Sequence, residues 1–231
     1  LVDECHRWFD FYGRWFMDPT WKDVPIIGLS ATPWTKGLGA YYHELIVAGT
    51  TAEMIEKGVL SPFRVWAPSK PDLKGVRTQA GDYVEADLTK VMQGARLVAD
   101  VIETWLAKAR GLPTLCFAVD RAHAQLLCER FKQAGVKADY QDANTSDNER
   151  DRIKRQFHTG EIKVVCNVGT LTTGVDWDVR CIVFARPTKS KMLFVQIAGR
   201  GLRTADGKDY CMFLDHSDNH LRLGFVTDIH Q

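Results

Sequence analysis

Four short segments of this 231-residue chain hold side chains whose types and spacing could act on a phosphorylated ligand. Asp3-Glu4-Cys5-His6 follows the apolar pair Leu1-Val2. An aspartate at a strand end can hold magnesium on a nucleotide's phosphates, and the glutamate beside it can orient and deprotonate an attacking water. A solvated acidic turn is the plainer reading of the same residues. Gln196-Ile197-Ala198-Gly199-Arg200-Gly201-Leu202-Arg203 carries two arginines three apart. On a helix such a pair shares one face and can reach one anion together. It could neutralise charge growing on a transferring γ-phosphoryl group, an effect worth roughly 10³–10⁵ in rate; a solvated basic helix end is the alternative. In Thr170-Leu171-Thr172-Thr173-Gly174-Val175-Asp176 the glycine lets backbone approach a ligand closely, and the hydroxyls can donate to phosphate oxygens. An aspartate that merely caps the loop is the bland reading. Ser30-Ala31-Thr32-Pro33 ends an apolar stretch with small residues and a proline stop.

These segments need elements to hold them. VPIIGL (24–29) is a short strand candidate, and Met54 and Ile55 fall on one face of a helix over 51–59. SPFRVWAP (61–68) reads as a strand fenced by prolines, and 69–86 as a polar loop or excursion. From residue 95 the pattern turns regular. Leu97, Val98, Val101, Ile102, Trp105 and Leu106 recur at helical spacing, and TLCFAV (114–119) is the continuous apolar run of a strand covered on both faces. A helix over 122–134 and a weaker strand over 136–140 follow. Ser146-Asp147-Asn148-Glu149 is a capping box opening a helix to about His158. Strands at 163–168, 181–185 and 210–215, with a helix around 193–198, complete an α/β chain. Alternation with short links predicts a mainly parallel sheet wrapped by helices on both faces, with ligands at the carboxyl ends of its strands.

Together the four segments resemble the motifs of the superfamily-two DEAD/DEAH-box helicases. Asp3-Glu4-Cys5-His6 looks like the second motif, Ser30-Ala31-Thr32 the third, Thr170 to Asp176 the fifth, and Gln196 to Arg203 the sixth. Phe117-Ala118-Val119-Asp120 falls where the fourth motif lies, and Arg150 stands in a position resembling the family's post-box arginine, although a surface salt bridge explains it equally well. The stretches AEMIEKGVLSPFRVWAP, TTGVDWD, QIAGRGLR and LDHSDNHLRLG look like the RadD-type branch, relatives of type III restriction translocase subunits. The resemblance implies a remnant of a first RecA-like domain over 1–48 and a second RecA-like domain over 49–231. It implies ATP and Mg²⁺ as cofactors, with Asp3 on the metal and Glu4, Gln196, Arg200 and Arg203 acting on the nucleotide. His6, Gly174 and Asp176 are then further nucleotide contacts, and Ser30, Thr32, Thr170 and Thr172 meet nucleic acid. Two departures stand out. Val168-Gly169 replaces the Thr-Asp with which many DEAD-box proteins open the fifth motif, and Thr172-Thr173-Gly174 replaces the branch's frequent Thr-Glu-Gly.

The implied parent is an ATP-dependent helicase or translocase acting on nucleic acid, DNA more readily than RNA, in repair or processing. No G-x-x-x-x-G-K-[ST] phosphate loop occurs in the chain. The expectation is therefore a C-terminal piece, inactive alone, whose partner is the upstream RecA-like domain of the same polypeptide. A restriction-system translocase subunit and a non-catalytic nucleic-acid docking module remain alternatives. A formal net charge of +1 offers no global basic field, so contacts with nucleic acid must be local. Six scattered cysteines fit neither a zinc framework nor a disulfide one. There is no signal peptide or apolar run long enough to span a bilayer, which makes the cytoplasm the expected compartment. His123 is expected as a packed helix residue. Of Trp34, Trp66, Trp105 and Trp177, Trp34 is the candidate for stacking on bases.

Overall fold

The computed structural model describes residues 1–7, 9–34, 37–172 and 176–229. It divides into a small unit, Leu1–Thr50, and a large one, Thr51–Ile229.

In the small unit the chain forms α1 (Asp10–Phe16) and two 3₁₀ turns, Pro19–Trp21 and Leu38–Ala40. The strand expected over 24–29 is reduced to one parallel bridge, Val2 to Gly28. Backbone bonds from Val2 to Ile27, Leu29 to Val2 and Cys5 to Leu29 run at 2.8–3.0 Å around it. With no further strand alongside among the described residues, the ladder does not extend, and Val24, Ile27 and Leu29 stay exposed. An aromatic cluster of Tyr12, Trp15, Phe16, Trp21, Tyr41 and Tyr42 fills the space behind the bridge, with ring centroids 5.3–6.4 Å apart.

The large unit opens on α2 (Thr51–Glu56) and β1 (Phe63–Trp66). The segment expected as a loop instead holds a hairpin, β2 (Thr78–Gln79) and β3 (Asp82–Tyr83), and the start of α3 (Glu85–Met92). Ala80 and Gly81 both have positive φ, as a two-residue hairpin turn requires. Polar composition hid α3: only Leu88 and Met92, four apart, are buried. Then come α4 (Ala95–Lys108), β4 (Thr114–Phe117), α5 (Arg121–Gln133), β5 (Ala138–Gln141), α6 (Asp147–His158), β6 (Val164–Asn167), β7 (Cys181–Phe184), α7 (Lys191–Gly201), β8 (Cys211–Asp215) and α8 (Asn219–Leu223).

Six strands form one sheet in the order β1-β8-β7-β4-β6-β5, and every pairing is parallel. The strands of such a sheet are apolar on both sides because both are covered. In β4, Leu115 and Phe117 pack with α6 and α7, while Cys116, and Ala118 just beyond the strand, pack with α4 and α5. The period-2 alternation of a strand thus divides one apolar run between two cores. All six cysteines are buried and reduced, and no group of His, Cys, Asp and Glu that could hold a metal ion occurs among the described residues.

Strand order reverses between β4 and β7, the position where an open parallel sheet leaves a ligand crevice. Here the chain fills that place itself. Thr89 of α3 bonds the Asp120 carboxylate beyond β4, and Arg186 beyond β7 reaches the Val119 carbonyl at 3.2 Å and Glu85 of α3 at 3.9 Å. Leu88, Met92 and Val119 form a small core beneath, with Leu73, Val76, Tyr83 and Leu97 against it. The hairpin is pinned by Asp82, which accepts from the Thr188 hydroxyl and the Lys189 amide, both at 2.7 Å.

Candidate functional site

In the small unit the two motif-like segments are bound to one another. The bridge at Val2 and Gly28 brings Asp3-Glu4-Cys5-His6 beside Ser30-Ala31-Thr32. His6 is buried; its Nδ1 lies 2.9 Å from Ser30 Oγ and 3.2 Å from Glu4 Oε2. Ser30 Oγ also accepts the Thr32 amide at 3.0 Å, and Thr32 is fully buried. His6 is thus a strut between the two segments rather than an open contact group. Asp3 is exposed and its Oδ1 accepts the Glu4 amide at 2.9 Å. Glu4 holds a left-handed φ of 49°, a conformation that costs a non-glycine residue about 1–3 kcal/mol when its surroundings impose it.

In the large unit the arginine segment differs from expectation in one respect. The helix ends at Gly201, so only Gln196 and Arg200, four apart, share a helical face. Phe194, Ile197, Ala198 and Gly201 lie on the opposite face and are buried. Arg203 lies beyond the helix, where its backbone bridges to Leu60. Its guanidinium is held by the loop after β6, with Nη1 at 2.8 Å from Asp176 Oδ1. The helix stops there because its terminal carbonyls find other partners. Ser61 donates its amide to Leu202 at 2.7 Å, and the Lys208 ammonium donates to the Gly201 and Arg203 carbonyls at 2.7 and 2.6 Å. Lys208 was not legible as a cap, since it comes seven residues after the helix ends. Burial pushes its pKa below the ordinary lysine value, although Cys211 and Asp178 favour the charged form.

Of the remaining loop residues, Thr172 is buried and its hydroxyl donates to the Gly169 carbonyl at 3.1 Å. The Thr170 hydroxyl is buried without a partner among the described residues. Gly174 lies outside the described residues. Asp120, expected at the fourth motif, caps α5 by accepting the His123 amide at 2.8 Å. His123 itself is buried, as expected, and its Nδ1 accepts the Val119 amide at 3.3 Å. The capping box at α6 closes on one side only: Ser146 accepts the Glu149 amide at 3.4 Å, while the Glu149 carboxylate turns to Arg152 at 2.6 Å. Arg150 is in no ion pair among the described residues. Its guanidinium clamps the preceding turn, donating to the carbonyls of Thr145, Asp142 and Ala143 at 2.7–3.1 Å. Trp105 and Trp177 belong to the cores, with Trp105 Nε1 donating to Thr114 at 2.7 Å and Trp177 lying 4.9 Å from the Phe157 ring. Trp66 is half-exposed beneath Lys108 Nζ, and the half-buried Trp34 has an unpartnered ring nitrogen.

The C-terminal stretch LDHSDNHLRLG forms a buried polar knot after β8. Asp215 accepts from the His220 amide and ring at 2.8 Å and from Ser217 at 2.6–2.9 Å. Burial would raise the Asp215 carboxyl, but His220 and Ser217 hold it below the usual carboxylate range. Asn219 accepts from Thr188 and Arg222 and donates to the Arg186 carbonyl.

A six-stranded parallel sheet of this order, with helices on both faces, has the RecA-like architecture. Residues 96–205 match the family profile of the helicase conserved C-terminal domain. The chain is 34% identical over 228 residues to the Saccharomyces cerevisiae protein named ATP-dependent helicase IRC3, which covers 93% of this chain and 33% of that protein. It is 32% identical over 187 residues to a 51.5 kDa protein of a Lactococcus phage, covering 79% of this chain and 41% of that protein. A solved fragment of an HsdR subunit of a type I restriction enzyme from Vibrio vulnificus superposes with a TM-score of 0.65 at 19% identity, over 86% of this chain and 42% of that one. At that identity the likeness is one of fold. Over residues 96–205 the chain thus carries a helicase conserved C-terminal domain, and it spans about a third and about two-fifths of the length of these two curated relatives. No helix among the described residues is long and apolar enough to cross a membrane.

Proposed function

We propose that the protein to which this chain belongs hydrolyses ATP while moving along or separating nucleic acid, DNA in preference to RNA, in the manner of the RadD-like branch. The observation that carries this reading is the Arg203–Asp176 ion pair at 2.8 Å. It ties the arginine segment to the loop after β6, although no single helix spans both arginines. Arg200 and Arg203 neutralise charge on the transferring phosphoryl group, Gln196 on the Arg200 face positions it, and Asp176 orients Arg203. Gly174 would let the same loop approach the nucleotide. Thr170 and Thr172, with Ser30 and Thr32, serve the nucleic-acid side of the cycle.

The small unit supplies Asp3 and Glu4. Magnesium binds through one or two carboxylates and otherwise through water and phosphate oxygens. The single exposed Asp3 carboxylate fits that requirement, with the nucleotide's phosphates completing the shell. When bound, the ion would neutralise phosphate charge. Glu4 orients and deprotonates the attacking water, and the buried His6, 3.2 Å from Glu4 Oε2, steadies it.

The decisive measurement is ATP hydrolysis by the full-length protein, with and without single-stranded DNA, in the native form and as Arg200→Ala and Arg203→Ala. Each substitution should lower the stimulated rate roughly 10³-fold or more. Rates within a few-fold of native would sink the motor reading and favour a docking module.

A further inference from the structure

The large unit holds a second place built for a ligand, away from the arginine segment. An open cleft of about 380 Å³ lies between the loop after β1, the hairpin and the knot after β8. Its lining includes two lysines, Lys70 and Lys74, the apolar and aromatic surfaces of Leu73 and Tyr83, and the charged pair of residues Asp218 and Arg222. Both lysines are exposed, and neither is in an ion pair among the described residues. Asp72, also at the rim, turns its Oδ1 to the Lys74 amide at 3.0 Å.

The informative residue is Asp218. It is 94% buried, its Oδ1 is enclosed, and that oxygen has no hydrogen-bond partner among the described residues. A buried acceptor left without a donor is destabilising, and more so when it is charged. Its position explains why the carboxylate is unused. Asp218 is the N-cap residue of α8, where an aspartate normally accepts an amide from the first turn. That amide, from His220, is already taken by Asp215 at 2.8 Å. Asp218 itself sits at φ 61°, outside the capping conformation. Nearby, Arg222 spends Nη1 and Nη2 on Tyr83, Thr188, Ser217 and Asn219, which leaves its Nε buried without a partner.

A ligand that satisfies this cleft carries an anion for Lys70 and Lys74, a body that packs on Leu73 and Tyr83, and an N–H donor for the Asp218 carboxylate. We infer that the cleft binds one nucleotide unit, its phosphate on the lysines and a base N–H group on Asp218. The two sources of that chemistry are a free nucleotide and a base turned out from a strand. The choice of a nucleotide rests on the proposed motor function; the orphaned carboxylate between cations does not.

The test is a titration of the 231-residue chain followed by amide NMR shifts at residues 70–74, 83, 218 and 222. The probes are 2′-deoxyguanosine 5′-monophosphate, inorganic phosphate and a 12-nucleotide single-stranded DNA. The mononucleotide should move these amides, and Asp218→Asn should weaken it about tenfold while leaving phosphate binding unchanged, since one charge-assisted bond is lost. Asparagine tolerates the left-handed backbone, so the fold should survive. The surface variant Lys70→Glu/Lys74→Glu should weaken both probes. Shifts by the DNA that the mononucleotide reverses assign the site to a strand; shifts by the mononucleotide alone assign it to a free nucleotide. If neither the mononucleotide nor the DNA moves these amides, whatever phosphate does, or if Asp218→Asn binds like the native chain, the cleft assignment is overturned. That result with an Arg203→Ala protein that has lost its ATPase leaves the motor reading standing; the reverse pattern removes the motor and keeps the cleft.

Discussion

Two histidines show how burial, rather than motif membership, sets a residue's chemistry. His123 and His216 are enclosed, and burial pushes each from the usual value near 6.5 to about 4, against the pull of neighbouring carboxylates. Their partners agree with a neutral ring: His123 Nδ1 accepts the Val119 amide, and His216 Nδ1 meets the Ser69 hydroxyl at 2.8 Å. Between pH 6.5 and 4 the unfolded chain takes up protons at these rings that the folded chain refuses. Stability is therefore full above pH 6.5 and falls as pH drops through that window, by up to roughly 3 kcal/mol per ring. Asp215, whose carboxyl is held below its usual value, adds its own loss only at lower pH. Urea unfolding of the chain at pH 7.5, 6 and 5 should show the decline, and His123→Gln should roughly halve it. A stability that is level across this range contradicts the account.

At the scale of an element, α7 separates the two glycines of its GRG segment. A Cβ at Gly201 would lie 2.6 Å from Cys211 Sγ and 2.9 Å from Ile182 and Phe213, all in the core. A Cβ at Gly199 meets nothing within 4 Å among the described residues. Overpacking typically costs about 1–3 kcal/mol, whereas alanine for glycine in an exposed helix position gains roughly 1 kcal/mol. Gly201→Ala should lower the Tm, and Gly199→Ala should leave it unchanged or raise it. Equal effects in thermal denaturation would mean that the end of α7 does not press on β7 and β8 as described. Gly201 is also the last residue of α7, two residues before the Arg203 that pairs with Asp176.

Across the whole molecule, stability is unevenly distributed. In residues 1–50 only Val2, Cys5, His6 and Thr32 are buried among the described residues, and one bridge replaces a sheet. By contrast, β4, β6 and β7 are buried throughout on two faces. Segments with little buried apolar surface open at low free energy, and core strands only near the global value. Hydrogen exchange read by mass spectrometry should show 1–50 exchanging within seconds and peptides spanning 114–119, 164–167 and 181–185 protected at least a thousandfold longer, a ratio of about 10³ for each ~4 kcal/mol of opening. Comparable protection in both would overturn this view of the small unit.

The α/β class, the parallel sheet and the large helices were legible in the residues themselves, because runs such as TLCFAV and the 3.6-residue recurrence over 95–109 record burial directly. The arginine segment was legible too, as residue types at fixed spacing. What only the tertiary structure decided were relations between distant segments. The weak strand at 24–29 needed neighbours to extend it, and α3, polar along most of its length, became a helix by filling the reversal between β4 and β7. The end of α7 was set by Ser61 and Lys208, which left Arg203 beyond the helix, and Asp218 lost its capping role to Asp215 three residues earlier. Periodicity reports which face of an element meets the core, but it carries no record of which partner from elsewhere in the chain reaches a given backbone amide or carboxylate first.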